Sequence, residues 1–438
     1  MAFKNTYPLD SLACTLPYAP VSETSPLVFR LMLALQEEVD PAVLKRAVLD
    51  LAPRFPIMYA KLRRGFIWDQ LEDASDHDIV QEDEGYPCRP FHIRKGEKPL
   101  LRVLYRGNEL GFEATHLTCD GTGGSVYLNS LAARYLELQG HTIEKSHNVL
   151  DHQDGPCETE LADYYQTIYE KPQKMKNPAA PPAFQYLREK KADYLQVTRV
   201  AIPLDALKKL VREDYDGYTI THYLGAVYAS AFLRLHEKKP QKKRPVRLLI
   251  ASNLRKYWNT HTLRNFTGMA NITVAPDRED AGFGSVLALV RREMQEKLTK
   301  ENQHALICQT ARYLDLFILK FIPGSVKKFL ATTVYPPFRR RLVPQTSTLT
   351  NLGYIRLPPS LAAHIRSYHL FLGEAADNRI TCAAAGVNNI MTVAFSSVSE
   401  STVIQDYCID RFKKDGLPVE VTVGTGNKTH KLLEPAAT

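Results

Sequence analysis

THLTCDGTGG, residues 115–124, is the stretch on which the reading of this chain turns. Upstream of it, Leu110, Phe112, Ala114 and His116 recur at a period of two, which predicts a half-buried strand ending at His116 with the imidazole on its apolar side. Asp120-Gly121 then turns the chain, and Leu128, Leu131, Tyr135 and Leu138 follow at helical spacing. The pattern sets a histidine at a strand end, beside a tight turn and a helix start. That layout suits a general base. An imidazole changes charge near neutral pH and, held in a partly desolvated place, takes a proton from a hydroxyl or amine as it attacks a carbonyl. A single histidine on an apolar face is more often a packed core residue, so the assignment needs a second match.

The second match is ASNLRKYWNTHTLRNFTGM, residues 251–269. Together with the HxxxDG spacing of His116, Asp120 and Gly121, it resembles the superfamily of thioester-dependent acyltransferases. That superfamily holds chloramphenicol acetyltransferase, the condensation domains of nonribosomal peptide synthetases, the plant BAHD acyltransferases and the alcohol acetyltransferases. Its NLR segment carries an arginine that pairs with the aspartate of the motif, and the matching residue here is Arg255. The resemblance implies that Asp120 need not touch substrate: a buried carboxylate gripped bidentately by a guanidinium fixes the turn that aims His116. Many condensation domains carry two consecutive histidines; Thr115 holds the first place here, as the single-histidine branches allow.

A third, partial match is TLTNLGYIRLP, residues 348–358, which resembles the strand whose Ser, Thr or Asn side chains face the reaction centre in several branches. On that resemblance Thr350 and Asn351 are candidates to donate hydrogen bonds to the oxyanion of a tetrahedral intermediate. Turn chemistry alone reads the same residues as a strand ending in an Asn-Leu-Gly turn. The DFGWG motif of the plant branch is absent, which leaves the bacterial and fungal branches. There is no GxSxG nucleophile elbow, and Cys119 falls where the family has no catalytic residue.

The length, 438 residues, predicts two domains. With 44% hydrophobic and 24% charged residues, the composition is that of a globular chain with ample core. Seven scattered cysteines, with no CxxC pair, no zinc-like cluster and no signal peptide, predict reduced thiols, no metal and a cytoplasmic protein.

Leu27–Leu35 reads as a strand, and Asp40-Pro41 as the cap and first turn of a helix that buries Leu44, Ala47, Val48 and Leu51. Short strands follow, with turns at Arg64-Gly65 and Gly107-Asn108, the latter the hairpin that delivers His116. From about 151 to 191 the pattern dissolves into a Pro-, Lys- and Asn-rich crossover. Strand Val197–Ile202 and helix Leu204–Asp214 then repeat the opening plan. The expected division is residues 1–175 as a first half carrying HxxxDG, 176–195 as linker and 196–438 as a second half. After it come a helix from Thr221 to His236, strands Val246–Ala251 and Asn271–Val274, an amphipathic helix over 282–299, strands near 367–372, 379–387 and 391–397, a helix near 399–413 and a last strand near 419–423. The class is α/β with mixed sheets; the resemblance implies two chloramphenicol acetyltransferase-like subdomains enclosing a central tunnel. The apolar run YLDLFILKFI, residues 313–322, is too short to span a bilayer and contains Asp315 and Lys320. It reads as a core helix, with a lipid-facing entrance to an acceptor channel as the alternative.

The formal charge is +8, with basic runs KKPQKKRPVR at 238–247 and FRRR at 338–341. Such runs are ordinarily solvated loops; as an electrostatic feature they would draw the phosphates of coenzyme A or an acidic carrier protein to a tunnel mouth. Nucleic acid fits poorly, because no binding motif accompanies the charge and no aromatic residues interleave it. The sequence therefore points to an acyltransferase, and first to an alcohol acyltransferase, that moves an acyl group from a coenzyme A or acyl carrier thioester to an alcohol or amine. Transfer would be direct, with no covalent acyl-enzyme and no resident cofactor. The alternatives are a condensation-type amide-forming enzyme using carrier-bound acyl groups, a non-catalytic carrier-binding module of the same fold, and a peripheral contact with membranes.

Overall fold

The computed structural model describes residues 6–15, 27–91, 98–171, 182–186, 190–238, 240, 244–275, 282–315, 321–329, 345–374 and 378–427. The proline-rich crossover, the apolar run at 313–322 and the basic run at 238–247 lie partly outside these residues, and the FRRR run at 338–341 wholly so.

In chain order the strands are β1 (Thr6–Pro8), β2 (Val28–Leu35), β3 (Ala60–Arg63), β4 (Gln70–Asp73), β5 (Val80–Glu82), β6 (Leu101–Arg106), β7 (Glu109–Thr115), β8 (Lys191–Pro203), β9 (Val246–Asn253), β10 (Thr267–Val274), β11 (Ser347–Tyr354), β12 (Ile365–Leu372), β13 (Ile380–Val387), β14 (Ile390–Ser399) and β15 (Glu420–Asn427). The helices are α1 (Pro41–Leu51), α2 (Gly121–Leu138), α3 (Glu158–Leu161), α4 (Tyr164–Ile168), α5 (Leu204–Glu213), α6 (Ile220–Lys238), α7 (Arg255–Trp258), α8 (Phe283–Lys297), α9 (Lys300–Asp315), α10 (Gly324–Phe329), α11 (Pro359–Ala362) and α12 (Val403–Lys414).

The local signals work as their chemistry dictates. Asp40 caps α1, its Oδ1 accepting from the N–H groups of Ala42 (2.8 Å) and Val43 (3.3 Å), with Pro41 in the first turn. Leu44, Ala47, Val48 and Leu51 form its buried face. The Gly107-Asn108 turn joins β6 to β7 in antiparallel register, Arg106 opposite Glu109, and leads the chain toward His116.

A five-stranded mixed sheet runs in the order β12-β2-β7-β6-β5, a seven-stranded mixed sheet in the order β10-β9-β11-β13-β14-β8-β15, and a small antiparallel sheet in the order β1-β4-β3. The first sheet packs Phe29, Leu31 and Leu33 against Leu44, Val48, Leu128 and Leu131 of α1 and α2. The second packs Val200, Ile250, Ile380 and Val393 under Leu207, Tyr223, Val290 and Phe412 of α5, α6, α8 and α12. Sheet membership does not follow chain order: β12, from late in the chain, pairs antiparallel with β2.

Two expectations are corrected. Strand β7 is not half-buried: Gly111 to Thr115 are buried on both faces, and Glu113 is 0% exposed. Its carboxylate takes Nε (2.8 Å) and Nη2 (2.6 Å) of Arg30 and lies 3.2 Å from Nη2 of Arg102, while Arg30 also holds Asp83 at 2.6 Å. The period of two was right in spacing, but one of its polar places is filled by a buried ion network rather than water. Strand β8 begins at Lys191, well before Val197, because it is central: β14 pairs with one edge and β15 with the other.

Candidate active site

Strand β7 hands the chain to a tight turn rather than ending on the histidine. The His116 N–H still donates to the Leu27 carbonyl (3.1 Å), and its ring rests 5.1 Å, centroid to centroid, from Phe29 of β2. The turn is then knotted by Thr115, whose Oγ1 accepts from the Leu117 N–H (2.9 Å) and whose carbonyl accepts from the N–H and the hydroxyl of Thr118, both at 3.0 Å.

Asp120 follows as the cap of α2. Its Oδ1 accepts from the Gly123 N–H at 2.9 Å and from Nη2 of Arg255 at 3.1 Å. Its Oδ2 accepts from Nη1 of Arg255, the Phe266 N–H and the Thr267 hydroxyl, each at 2.9 Å. Arg255 spends its other donors on the carbonyls of Thr262 (Nε, 2.8 Å) and Arg264 (Nη2, 2.7 Å). Burial pushes the Asp120 carboxyl up, but the Arg255 guanidinium and the two backbone N–H groups outweigh it and hold the group below its ordinary value. The expected pairing of these two residues is thus present, bidentate and 1% and 10% exposed at the two side chains.

The close fit extends to α2. A Cβ on Gly123 would lie 2.1 Å from the Leu263 carbonyl oxygen, a backbone atom that cannot swing aside. Gly123→Ala is therefore expected to cost about 1–3 kcal/mol through forced displacement of the 263–265 loop; a urea midpoint equal to that of the parent would refute the close approach.

The residue that sequence reasoning missed is Asn265. It is 0% exposed, and its amide nitrogen donates to the His116 carbonyl (2.7 Å) and to Oδ2 of Asp10 (2.9 Å). Its amide oxygen therefore faces Nδ1 of His116, at 3.0 Å. An amide oxygen only accepts, so the network puts the proton on Nδ1 and leaves the Nε2 lone pair free. Asp10 is held in turn by Arg264 (Nε, 3.4 Å) and by the Ala13 N–H (2.8 Å). Asn265 lay inside the quoted 251–269 stretch, but nothing in its local pattern marks it, because its partners are at positions 10 and 116. Asn265→Ala is expected to release the His116 ring from its single tautomer, read as a shift in the nitrogen resonances of the imidazole; an unchanged tautomer ratio would remove this positioning role.

Thr350 and Asn351 lie on β11, whose end touches the motif: a Cβ on Gly121 would meet Leu352 Cδ2 at 3.1 Å. The register pairs Thr350 with Ala383 and Asn351 with Ala384. Ala384 belongs to the helix-covered core of the second sheet and Ala383 to the core shared with the first. The two side chains thus leave the strand on opposite faces. Asn351 is engaged on its own face, donating from Nδ2 to Oγ1 of Thr221 on α6 at 3.0 Å, while its Oδ1 accepts from the Gly353 N–H at 2.8 Å. Cys119 is buried, which pushes its thiol well up and makes it a poor nucleophile. Among the described residues no group of three or more His, Cys, Asp or Glu could hold a metal.

No family model matches the chain, and no curated protein matches it in sequence. Solved structures do. The trichothecene 15-O-acetyltransferase TRI3 of Fusarium sporotrichioides superposes at a TM-score of 0.61, with 10% identity and 94% of each chain covered. TRI101 of F. sporotrichioides, solved with coenzyme A and T-2, gives 0.60 at 12% identity, covering 94% of this chain and 99% of that one. The epimerization domain from the third module of tyrocidine synthetase B gives 0.53 at 10% identity, with coverage of 94% and 95%. The chain has the chloramphenicol acetyltransferase-like fold. Within this fold, the Asp120–Arg255 pair is a joint. Asp120 caps the helix behind the first sheet, whereas Arg255 and Phe266 belong to the β9–β10 connection of the second and Thr267 opens β10. The chloramphenicol acetyltransferase-like fold thus sets His116 where its two sheets are pinned together, with Asn265 reaching it from the same connection.

Proposed function

We propose that the protein is an acyltransferase in which His116 is the general base, the acyl donor is a coenzyme A thioester and the acceptor is an alcohol. The observation that carries this reading is the imidazole itself: Asn265 holds Nδ1 protonated, at a turn pinned by Asp120 and Arg255. Nε2 would take the proton of the acceptor hydroxyl as its oxygen attacks the thioester carbonyl. The tetrahedral intermediate then collapses, the carbon–sulfur bond breaks, and the imidazolium returns the proton to the departing thiolate. The products are an ester and free thiol, with no acyl-enzyme. Thr350, on the sheet face away from α6, is the candidate donor to the oxyanion, and Gly121 lets Leu352 of the same strand close on the motif. The two halves at 1–175 and 196–438 would frame a tunnel in which donor and acceptor meet at His116.

The fold likeness to two acetyltransferases, one solved with coenzyme A, supports that donor. The test is thiol release from acyl-coenzyme A donors of short to long chain, with pooled alcohols and, separately, pooled amines as acceptors. Alcohol-dependent release establishes the reading and begins to define the acyl pocket. Release only with amines moves the acceptor to amide formation. No release, in a protein that binds coenzyme A, overturns the activity in favour of a non-catalytic module; no release and no binding moves the donor to a carrier-bound thioester.

A further inference from the structure

A buried carboxylate stands behind Asn265, outside the proton path through Nε2. Asp10, two residues past β1, is 0% exposed. Its Oδ2 takes two donors of one residue, the Asn265 backbone N–H at 3.2 Å and the side-chain nitrogen at 2.9 Å. Its Oδ1 accepts from the Ala13 N–H at 2.8 Å, and its backbone carbonyl from the Cys14 N–H at 2.8 Å. The segment around it is tied from three directions. Strand β1 pairs with β4, Nη2 of Arg264 donates to the Pro8 carbonyl at 2.8 Å, and Asp163 accepts from the backbone N–H and the hydroxyl of Ser11, both at 2.7 Å. Asp10 is thus a fixed point to which Asn265 is bound twice.

The chemistry of that carboxylate decides which way the Asn265 amide turns. A carboxamide carries an acceptor and a donor of nearly equal size, and packing alone does not choose between them. Two acceptors lie on one side, Oδ2 of Asp10 and the His116 carbonyl, and they draw the nitrogen there. The oxygen is left for Nδ1 of His116. Of the two acceptors, the carbonyl belongs to His116 itself; Asp10 ties the amide to a separate framework. An ionised carboxylate has no donor to present in the wrong orientation, which a neutral asparagine would have. Burial pushes the Asp10 carboxyl up and Asp163 adds to the rise, while Arg264, the Ala13 N–H and the Asn265 amide oppose it. Among the described residues every group that faces its oxygens is a donor, Nε of Arg264 at 3.4 Å included, so the site fits the charged form.

We infer that Asp10 is a positioning residue for His116, acting through Asn265 to fix which ring nitrogen is protonated and where the ring points. Imidazole, amide and carboxylate form one relay. A hydrogen bond from the amide nitrogen to a carboxylate polarises the amide and strengthens its oxygen as an acceptor. The relay thereby supports the imidazolium that forms when Nε2 takes a proton; this last step rests on the acyltransferase reading, whereas the tautomer does not.

The full chain is labelled with nitrogen-15 in its histidines, and the ring resonances are read at alkaline pH, where imidazoles are neutral. His116→Ala identifies the pair of resonances that belongs to this ring. The parent is expected to show a single tautomer, with Nδ1 protonated and Nε2 bare. Asp10→Asn is expected to lose that single state, the two resonances moving toward each other, because its one acceptor oxygen serves either Ala13 or Asn265 but not both. The single variant leaves Arg264, 3% exposed, without its carboxylate partner. Asp10→Asn combined with Arg264→Gln removes both buried charges together and supplies the same reading if the single variant does not fold. Ser11→Ala loosens the same segment by freeing it from one bond to Asp163, does not touch Asn265, and should keep the parental resonances. An unchanged ring in a folded Asp10 variant overturns the inference. So does a parent ring protonated on Nε2, or a Ser11→Ala protein that shifts as far as Asp10→Asn, which would reduce Asp10 to a tie of the N-terminal segment. No substrate enters the measurement, so a parent that releases no thiol overturns the acyltransferase reading and leaves this one standing.

Discussion

Replacing His116 with alanine is expected to lower kcat/KM for acyl transfer by about 10²–10⁴-fold, the range that a positioned general base contributes. Neither side chain beside it in the motif stands ready to take over. The neighbouring cysteine is buried with its thiol pushed up, and Asp120 commits both carboxylate oxygens to Arg255, Gly123, Phe266 and Thr267. His116 is only partly buried and gives its Nδ1 to a single partner, so the variant should fold. The measurement is thiol release at matched protein concentration, with the urea midpoint of each protein as the control for folding. Equal rates in the two proteins would remove His116 from the chemistry, and with it the proton path drawn through Nε2.

Asp120→Ala is expected to cost about 3–5 kcal/mol of stability, because it leaves the Arg255 guanidinium buried without its counter-charge. The same change strips the cap from α2 and frees the Phe266 N–H and the Thr267 hydroxyl, so the joint between the two sheets loosens with the fold. Loss of activity in this variant should therefore travel with loss of stability. An inactive variant with the parental urea midpoint would show that Asp120 acts on the reaction directly. The pair also sets a pH dependence. A carboxyl held below its ordinary value contributes stability that is fully present above the unfolded carboxylate pKa, about 4, and is lost as pH falls through the lower folded value. Acid unfolding of the parent should thus gain slope below about pH 4, and Asp120→Asn, which keeps a capping oxygen, should lack that component.

Much of the scaffold was legible because its signals are local. The α1 cap at Asp40-Pro41, the burial of Leu44, Ala47, Val48 and Leu51 behind it and the Gly107-Asn108 hairpin each depend on a few adjacent residues and a fixed period. The ends of elements were less legible where partners decide them. The first residues of β8 are strand because β14 holds them from Lys191 and β15 from Tyr194, and β12 joins the first sheet because β2 offers it an edge. Thr350 and Asn351 show the same division. Their strand was readable from the resemblance and from turn chemistry, but which of them faces the shared core depends on the register of β11 against β13.

By itself the sequence determined the turn that carries His116, Asp120 and Gly121 and the α/β class, because these rest on local spacing and period, while the arginine destined for Asp120 was named by the resemblance of residues 251–269. Only the tertiary structure decided the protonated nitrogen of His116, the burial of Glu113 among arginines, and the meeting of Phe66 with α10. Each of these joins residues from distant parts of the chain. No periodicity runs between such positions, so the contact exists only once burial and hydrogen bonding have chosen one packing among many.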